Sequence, residues 1–408
     1  MAIPMSSPDL TDAEREAVLD VLASPILSFG PRLEAFERTI ARYVRARHAV
    51  GVNSGTSGLH LCVIAAGVGE GDLVVTTPYS FVASANCILY ERGVPVFVDV
   101  DEKTGNMDPA LVAEAIDDLS RGGERAKRWL PPVLRTGAYR PEGRLKAVLP
   151  VHAFGQPADM DPILDVARRH GLAVIEDACE AIGSEYKGRK AGTLGDAAVF
   201  AFYPNKQMTT GEGGIIVTNR EDWDVLFRSL RNQGRDVFDA WLNHSRLGYN
   251  YRMDEMSAAL GLAQLERIEE LLAKRERVAR WYTERLARVD GVQTPYVAPS
   301  TTRMSWFVYV IRLALHIDRQ AVMAALAEQG IPSRPYFTPI HLQPFYVERF
   351  SYHQGAFPVT EALGDTSLAL PFSSIMDEAQ VEYVCEQLMR ALQSPKVCRQ
   401  CAQRLRRA

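Results

Sequence analysis

One lysine stands where covalent chemistry is possible. Lys206 ends the segment 199–206 (VFAFYPNK) and is followed by the glycine-rich stretch 207–214 (QMTTGEGG). The preceding aromatic and apolar residues can shield its amine from water, and a neutral amine attacks an aldehyde carbon to form an imine. An ordinary surface lysine is the alternative for this segment taken by itself.

Two carboxylates end an apolar run earlier in the chain. Glu176 and Asp177 follow the segment 172–175 (LAVI), which has the composition of a buried strand. Ligands of open α/β sheets bind at the carboxyl ends of the strands. A carboxylate at this edge can pair with a protonated ring nitrogen or hold a metal ion. A solvated strand end is the simpler alternative.

Two further segments place small or polar residues at predicted element boundaries. The segment 52–58 (VNSGTSG) joins a predicted strand to a predicted helix, where free backbone N–H groups attract anions such as phosphate. A plain helix cap explains the same residues. The segment 248–253 (GYNYRM) interleaves aromatic residues with Asn250 and Arg252, which fits either a packed turn or a contact with a bound anion.

The surrounding elements predict an α/β fold. Apolar strand-like runs alternate with helical segments, which is typical of a parallel sheet covered by helices on both faces. The predicted strands are 48–52, 73–76, 96–98, 147–151, 172–175, 197–202 and 214–218, with helices at 58–66 and 160–170 among them. Before them, Thr11 and Glu14 form a capping box for a helix to about Leu22, and a second helix follows Pro31.

The second half of the chain changes pattern. A charge-laced amphipathic segment from Met253 to Val289 predicts one long helix. We therefore expect a large domain over 1–252, a linking helix with a smaller α+β domain over 253–393, and a disordered basic tail over 394–408. The Arg-, Gly- and Pro-rich stretch 119–144 predicts an inserted surface loop.

The composition argues against several function classes. The 408 residues carry a formal net charge of −4, which predicts no nucleic-acid partner, and no apolar run approaches a membrane span. The N-terminus lacks a basic start followed by an apolar run, so we expect a cytoplasmic protein with free thiols. Cys398 and Cys401 form one isolated CxxC pair, too few ligands for zinc, and we expect no metal. No GxGxxG follows a predicted strand, which argues against a nicotinamide oxidoreductase.

The order of these segments resembles a known family. Together with 95–101 (PVFVDVD) and 150–155 (PVHAFG), the segments EDACE, 203–214 and GYNYRM resemble the DegT/DnrJ/EryC1/StrS family of sugar aminotransferases. The resemblance runs from about Gly30 to Leu392. It implies the type I fold of pyridoxal-5′-phosphate (PLP) enzymes, with a mainly parallel central sheet and a smaller C-terminal domain.

The resemblance implies cofactor roles for individual residues. Lys206 would hold PLP as a Schiff base, and Asp177 would pair with the pyridine nitrogen. Glu180 would lie near the ring's phenolic oxygen, where relatives often carry glutamine or histidine. Phe81 would stack on the ring.

The phosphate contacts are implied in the same way. Gly55 and Thr56 would bind the phosphate within one subunit. Asn250 would reach the phosphate of the neighbouring subunit, which implies an obligate homodimer with shared active sites. Ala201 replaces a phosphate-binding serine of many relatives, so one hydrogen bond must be absent or supplied elsewhere.

The implied reaction moves an amino group, with glutamate as the expected donor, onto a keto sugar such as a nucleotide-linked 3- or 4-keto hexose. Tyr336 and His341 are candidate sugar contacts, and Arg252 could meet a nucleotide phosphate, with ordinary packing as the alternative for each. A cyclitol ketone is an alternative acceptor, and a non-catalytic PLP-fold regulatory protein is an alternative class. Relatives that dehydrate sugars typically replace the lysine by histidine, so Lys206 favours transamination.

Overall fold

The computed structural model describes residues 3–135, 144–236 and 243–397. The α-helices of these ranges are α1 Asp12–Leu22, α2 Pro31–Val44, α3 Gly55–Ala65, α4 Ala83–Tyr90, α5 Pro109–Arg121, α6 Gly123–Lys127, α7 Pro132–Arg135, α8 Met160–His170, α9 Glu221–Arg231, α10 Glu255–Glu266, α11 Ile268–Leu286, α12 Arg319–Glu328, α13 Pro344–Phe350, α14 Pro358–Thr366 and α15 Glu378–Gln393. The strands are β1 His48–Val52, β2 Leu73–Thr76, β3 Val94–Phe97, β4 Leu145–Val148, β5 Ala173–Asp177, β6 Glu185–Tyr186, β7 Arg189–Lys190, β8 Ala197–Ala201, β9 Gly214–Thr218, β10 Val292–Gln293, β11 Thr301–Arg303, β12 Tyr309–Leu313, β13 Arg334–Pro335 and β14 Ser367–Leu370.

The largest sheet has seven strands in the order β1-β9-β8-β5-β4-β2-β3. β9 pairs antiparallel with β1 and β8, and the other pairings in this sheet are parallel. Helices α3, α4 and α9 cover one face, and α2, α5, α8 and α10 cover the other. The predicted mainly parallel sheet is confirmed. Burial of both faces explains why its strands read as continuous apolar runs.

The parallel strands bring distant parts of the chain to one edge of this sheet. β1, β2, β5 and β8 all reach that edge with their carboxyl ends, and the loops that follow them lie side by side. Ligand sites of open α/β sheets occur at this edge. The topology therefore places the SGTSG turn, the strand-end carboxylates and the Lys206 loop together.

A second, antiparallel sheet has the order β10-β12-β14-β13. Helices α11, α12 and α15 pack on it through a separate apolar core that includes Val278, Tyr309 and Leu388. This is the α+β architecture expected for the C-terminal part of the chain. The domain limits 1–252 and 253–393 stay predictions.

The predicted single helix over 253–289 is wrong, because the segment forms two helices, α10 and α11. They are separated at Arg267, which has φ −105° and ψ 10°. Arg267 donates hydrogen bonds to Asp9 at 3.1 Å and to Glu14 at 2.8 Å. The break lets α10 pack on the large sheet while α11 extends into the core of the second sheet.

The predicted surface loop over 119–144 is partly wrong. α5 continues to Arg121, and the short helices α6 and α7 follow it. Leu130 is buried against the core, and Asp118 accepts hydrogen bonds from Arg128 and Trp129, so these contacts order the segment. Residues 136–143 lie outside the described part of the chain.

The predicted disorder of the tail is wrong for its first residues. Residues 395–397 form a 3-10 helix, and the side chain of Val397 is buried in the C-terminal core. Cys398 and Cys401 lie outside the described residues. Within the described ranges, no helix combines the length and the apolar character needed to cross a membrane.

Candidate active site

A cavity of about 410 Å³ opens at the carboxyl edge of the large sheet. The residues named from the sequence that line it are Gly55, Thr56, Phe81, Asp177, Glu180, Lys206 and Tyr336. They come from the loops after β1, β2, β5 and β8 and from the segment after β13. The fold thus gathers side chains that are spread over most of the chain.

Lys206 lies in a turn after β8, where its backbone N–H donates to the carbonyl oxygen of Tyr203 at 2.9 Å. Its side chain is 13% exposed. The Nζ atom lies 3.8 Å from the ring centroid of Phe307 and 3.5 Å from Glu180 Oε1. An aromatic ring and a carboxyl oxygen therefore hold the amine inside the cavity, largely shielded from bulk water.

A buried arginine fixes the loop that carries this lysine. Arg275, on α11, is 2% exposed. It donates hydrogen bonds of 2.6–3.3 Å to the carbonyl oxygens of Asn205, Lys206, Trp306 and Phe307. Burial lowers the pKa of Arg275 to about 10, so the guanidinium keeps its charge at neutral pH. One side chain therefore joins the Lys206 loop to the loop that carries Phe307.

The two carboxylates at the end of β5 have different surroundings, because successive side chains of a strand point to opposite faces. Asp177 lines the cavity, where its Oδ2 accepts a hydrogen bond from Ser84 Oγ at 2.6 Å and its Oδ1 accepts a backbone N–H at 3.1 Å. Glu176 is fully buried. It accepts hydrogen bonds from His152 Nε2 at 2.9 Å and from three backbone N–H groups of the loop 192–195. Asp177 is thus the carboxylate that can meet a bound ring.

Glu180 lies on the cavity wall three residues beyond Asp177 and is 6% exposed. Its Oε2 accepts the backbone N–H of Phe154 at 2.9 Å, and its Oε1 faces Lys206. Burial raises the pKa of Glu180, and the positive charge of Lys206 only partly opposes this effect.

The first turn of α3 forms another part of the wall. Ser54 caps the helix, and its Oγ accepts a backbone N–H of the first turn at 3.1 Å. Gly55 and Thr56 are the first two helical residues, so their N–H groups have no carbonyl partner within the helix. A Cβ atom on Gly55 would lie 2.8 Å from Ala201 Cβ and 2.9 Å from Cys179 Sγ. Ala201 brings no hydroxyl group to this wall.

Three residues named from the sequence lie outside the cavity lining. Asn250 is exposed on the surface. Arg252 is half-buried and donates to Asn232 Oδ1 at 3.2 Å. His341 is fully buried, with its Nε2 3.0 Å from Glu361 Oε1. This position contradicts the expected contact between His341 and a sugar, because the imidazole has no exposed surface.

The model of the DegT/DnrJ/EryC1/StrS aminotransferase family matches residues 8–389. The chain belongs to this family. It is 40% identical over 394 residues to a GDP-perosamine synthase of Caulobacter vibrioides, with 96% of this chain and 98% of that protein covered. It is 36% identical over 376 residues to a pleiotropic regulatory protein of Geobacillus stearothermophilus, covering 91% of this chain and 92% of that protein. Its structure resembles that of S. venezuelae DesV in complex with a ketimine intermediate, with a TM-score of 0.83, 31% identity, and 96% and 99% of the two chains covered.

As a DegT/DnrJ/EryC1/StrS family member, the chain is a PLP-dependent aminotransferase with the fold of that enzyme class. The residues of the cavity fit this cofactor. A helix N-terminus suits the phosphate, the carboxylate of Asp177 suits the pyridine nitrogen, and the amine of Lys206 suits the aldehyde. Among the described side chains, no group of three or more His, Cys, Asp and Glu residues is arranged to hold a metal ion.

The sequence alone did not identify three residues of the site. They are Ser84, Arg275 and Phe307. Ser84 carries a usable signal in the sequence, because it follows Ser80 by four residues, the spacing at which side chains meet on one face of a helical turn. In the structure their hydroxyl oxygens lie 2.8 Å apart. Arg275 and Phe307 carry no signal in the sequence, because their roles depend on tertiary contacts with the Lys206 loop.

Substituting Gly55 with alanine should weaken PLP binding by about fivefold or more. The new Cβ would push the first turn of α3 away from Ala201 and Cys179, and such overpacking costs about 1–3 kcal/mol. Equilibrium titration of the apoprotein with PLP measures the effect. Gly69→Ala is the matched control, because its Cβ would meet only Asp72 Oδ2 at 3.9 Å. Equal affinities in both variants would contradict a role for Gly55 in the phosphate turn.

Substituting Glu176 with glutamine should lower the free energy of unfolding by about 3–5 kcal/mol. The carboxylate of Glu176 accepts hydrogen bonds on both of its oxygens, whereas the side-chain amide of glutamine has one oxygen and one NH₂ group. The NH₂ group would face buried N–H donors, and these donors would lose their acceptor. Urea unfolding measures the loss. Glu185→Gln is the control, because this partly exposed carboxylate pairs with Lys190 and should change stability by less than about 1 kcal/mol. A similar change in both variants would contradict the assigned role.

The contribution of Glu176 should also depend on pH. Burial raises the pKa of Glu176, but the hydrogen bonds from His152 and the 192–195 loop outweigh burial and hold the pKa below its ordinary value of 4.5. A carboxyl group whose folded-state pKa is lowered stabilises the fold above its unfolded pKa, and this stabilisation is lost as pH falls through the folded pKa. The stability gap between wild type and Glu176→Gln should therefore shrink only in acid.

Proposed function

We propose that this enzyme transfers an amino group from glutamate to the carbonyl carbon of a nucleotide-linked 3- or 4-keto hexose. The observation that carries the proposal is the meeting of Lys206, Asp177 and the α3 N-terminus in one cavity. The 40% identity to a GDP-perosamine synthase over nearly the whole chain favours a GDP-linked keto sugar as the acceptor.

The side chains of the cavity have separate tasks in such a reaction. Bound PLP supplies an aldehyde that condenses with amines and a ring that accepts carbanion electrons. Asp177 would pair with the ring nitrogen and keep it protonated. Lys206, displaced by the amino donor, would move a proton between the substrate carbon and the cofactor carbon as general base and acid. Phe81, which is 63% exposed beside the cavity, would stack on the ring, and Tyr336 would contact the sugar.

A homodimer with shared active sites is part of the proposal. Asn250 is exposed and does not line the cavity of its own chain, so it is free to meet a partner's phosphate. The guanidinium carbon of Arg252 lies 6.0 Å from the ring centroid of Phe29. Phe29 is one of five exposed apolar side chains within residues 19–29, and the others are Leu19, Leu22, Ile26 and Leu27. A second copy of the chain would bury these side chains.

Subunit mixing tests the shared site. Lys206→Ala and Asn250→Ala proteins are each prepared, unfolded together and refolded as mixed dimers. If Asn250 acts across the interface, the mixture regains activity that neither variant has alone, because one site of each mixed dimer is intact. Activity of the mixture equal to the sum of the two variants would contradict sharing.

A substrate panel tests the reaction. The holoenzyme is given glutamate and GDP-, UDP- or dTDP-linked keto hexoses, or cyclitol ketones, and the products are identified by mass spectrometry. We expect glutamate to bleach the cofactor colour and one nucleotide-linked keto hexose to be aminated. Amination of a cyclitol ketone alone would replace the proposed acceptor. A colourless protein that does not bind PLP would favour the regulatory alternative. The presence of Lys206 and Asp177 argues against that alternative, because a non-catalytic scaffold needs neither residue. A cytoplasmic location accords with nucleotide-linked substrates.

A further inference from the structure

The carboxyl group of Glu180 has surroundings that disfavour a negative charge. It is 6% exposed, and this burial outweighs the backbone N–H of Phe154 that its Oε2 accepts. The titratable groups that face it are Asp177, Cys179, Lys206 and Tyr336. Among these described neighbours Lys206 is the sole cation, so the charge state of Glu180 depends on what becomes of that amine.

Cofactor binding changes the balance around Glu180, and this step rests on the proposed role of Lys206. When the amine of Lys206 becomes an imine nitrogen of PLP, its positive charge would be balanced by the negative charge of the adjacent phenolic oxygen. A Glu180 carboxylate would then face a phenolate with no further cation beside it. Two anions in contact inside a buried wall repel strongly, and one of them takes a proton.

We propose that Glu180 is protonated in the holoenzyme and that its Oε1–H donates a hydrogen bond to the phenolic oxygen of PLP. Oε1 is the oxygen within 3.5 Å of Lys206 Nζ, while Oε2 is held as an acceptor by Phe154. A donated hydrogen bond stabilises the phenolate, and a more stable phenolate releases the imine proton more readily. Glu180 therefore sets the pH at which the Schiff base loses its proton.

The absorbance of the Schiff base as a function of pH tests this proposal. Glu180→Gln keeps the size and a neutral donor, whereas Glu180→Leu keeps the size and removes the donor. We expect the apparent pKa of the Schiff base to move by less than about 0.5 unit in the glutamine variant and to rise by about one unit in the leucine variant. Glu185→Gln, a partly exposed carboxylate, is the control and should leave the titration unchanged.

An ionised Glu180 predicts the opposite sign. Both substitutions would then remove a negative charge beside the imine and lower the apparent pKa. A fall of more than about 0.5 unit in the glutamine variant, any fall in the leucine variant, or an unchanged value in the leucine variant overturns the proposal.

Infrared difference spectroscopy supplies a second readout that does not need the leucine variant to fold. The wild-type holoenzyme minus Glu180→Gln should show the C=O stretch of a protonated carboxylic acid, and the absence of this band also overturns the proposal. Failure of the proposed function is a distinct result, because a wild-type protein without any Schiff-base absorbance has no titration to compare.

Discussion

Replacing Lys206 with alanine lowers transaminase turnover by about four orders of magnitude or more, because the same amine bonds the cofactor and carries the proton. The fold should persist. The described contacts of the side chain are the ring of Phe307 and one oxygen of Glu180, and the loop backbone is held independently by Arg275. Steady-state amination measures the loss of activity. Borohydride reduction followed by peptide mapping shows whether the pyridoxyl group sits at position 206.

Lys187→Ala is the control for this substitution. Lys187 is an exposed lysine paired with Asp161, and its loss should leave turnover and the pyridoxyl adduct unchanged. Substantial turnover in Lys206→Ala, or an adduct on another lysine of the wild type, would refute the assignment of the Schiff base.

Exchanging Asp177 for asparagine lowers the rate of the glutamate half-reaction by about two to four orders of magnitude. The amide cannot hold a positive charge on the ring nitrogen, so the ring becomes a weaker acceptor of electrons. The asparagine side chain has nearly the same size as aspartate, and its oxygen can still accept the hydrogen bond that Ser84 donates at 2.6 Å. The protein should therefore fold and bind PLP. Stopped-flow absorbance after mixing with glutamate measures the rate.

Asp161→Asn provides the comparison for this change. Asp161 is partly exposed and pairs with Lys187 and Arg189 outside the cavity lining, so its neutralisation should not slow the half-reaction. A wild-type rate in Asp177→Asn would remove Asp177 from its role at the ring nitrogen.

The sheet could be predicted from the sequence because burial of both faces leaves a simple pattern. The runs 48–52, 73–76 and 214–218 coincide with β1, β2 and β9. Once the strands are parallel, their carboxyl ends must meet, and this places Gly55, Asp177 and the Lys206 loop together without further information.

Other parts of the structure depend on contacts that no local pattern records. Arg267 is a good helix former, yet it separates α10 from α11 because the N-terminal residues Asp9 and Glu14 bind its guanidinium. Because side chains alternate along a strand, the sequence shows that Glu176 and Asp177 point to opposite faces of the sheet. It does not show which of the two side chains lines the cavity. His341 lies in a polar, aromatic-rich segment, and only the tertiary packing shows that it faces Glu361.

The position of Arg275 has a consequence for how the enzyme unfolds. Its guanidinium belongs to α11, while two of its acceptors lie in the loop of Lys206. Separating helix and loop would remove two of the four carbonyl acceptors of a buried cation, which is costly. The two should therefore open as one cooperative unit in hydrogen exchange. Heat or denaturant should release the cofactor only when α11 itself melts.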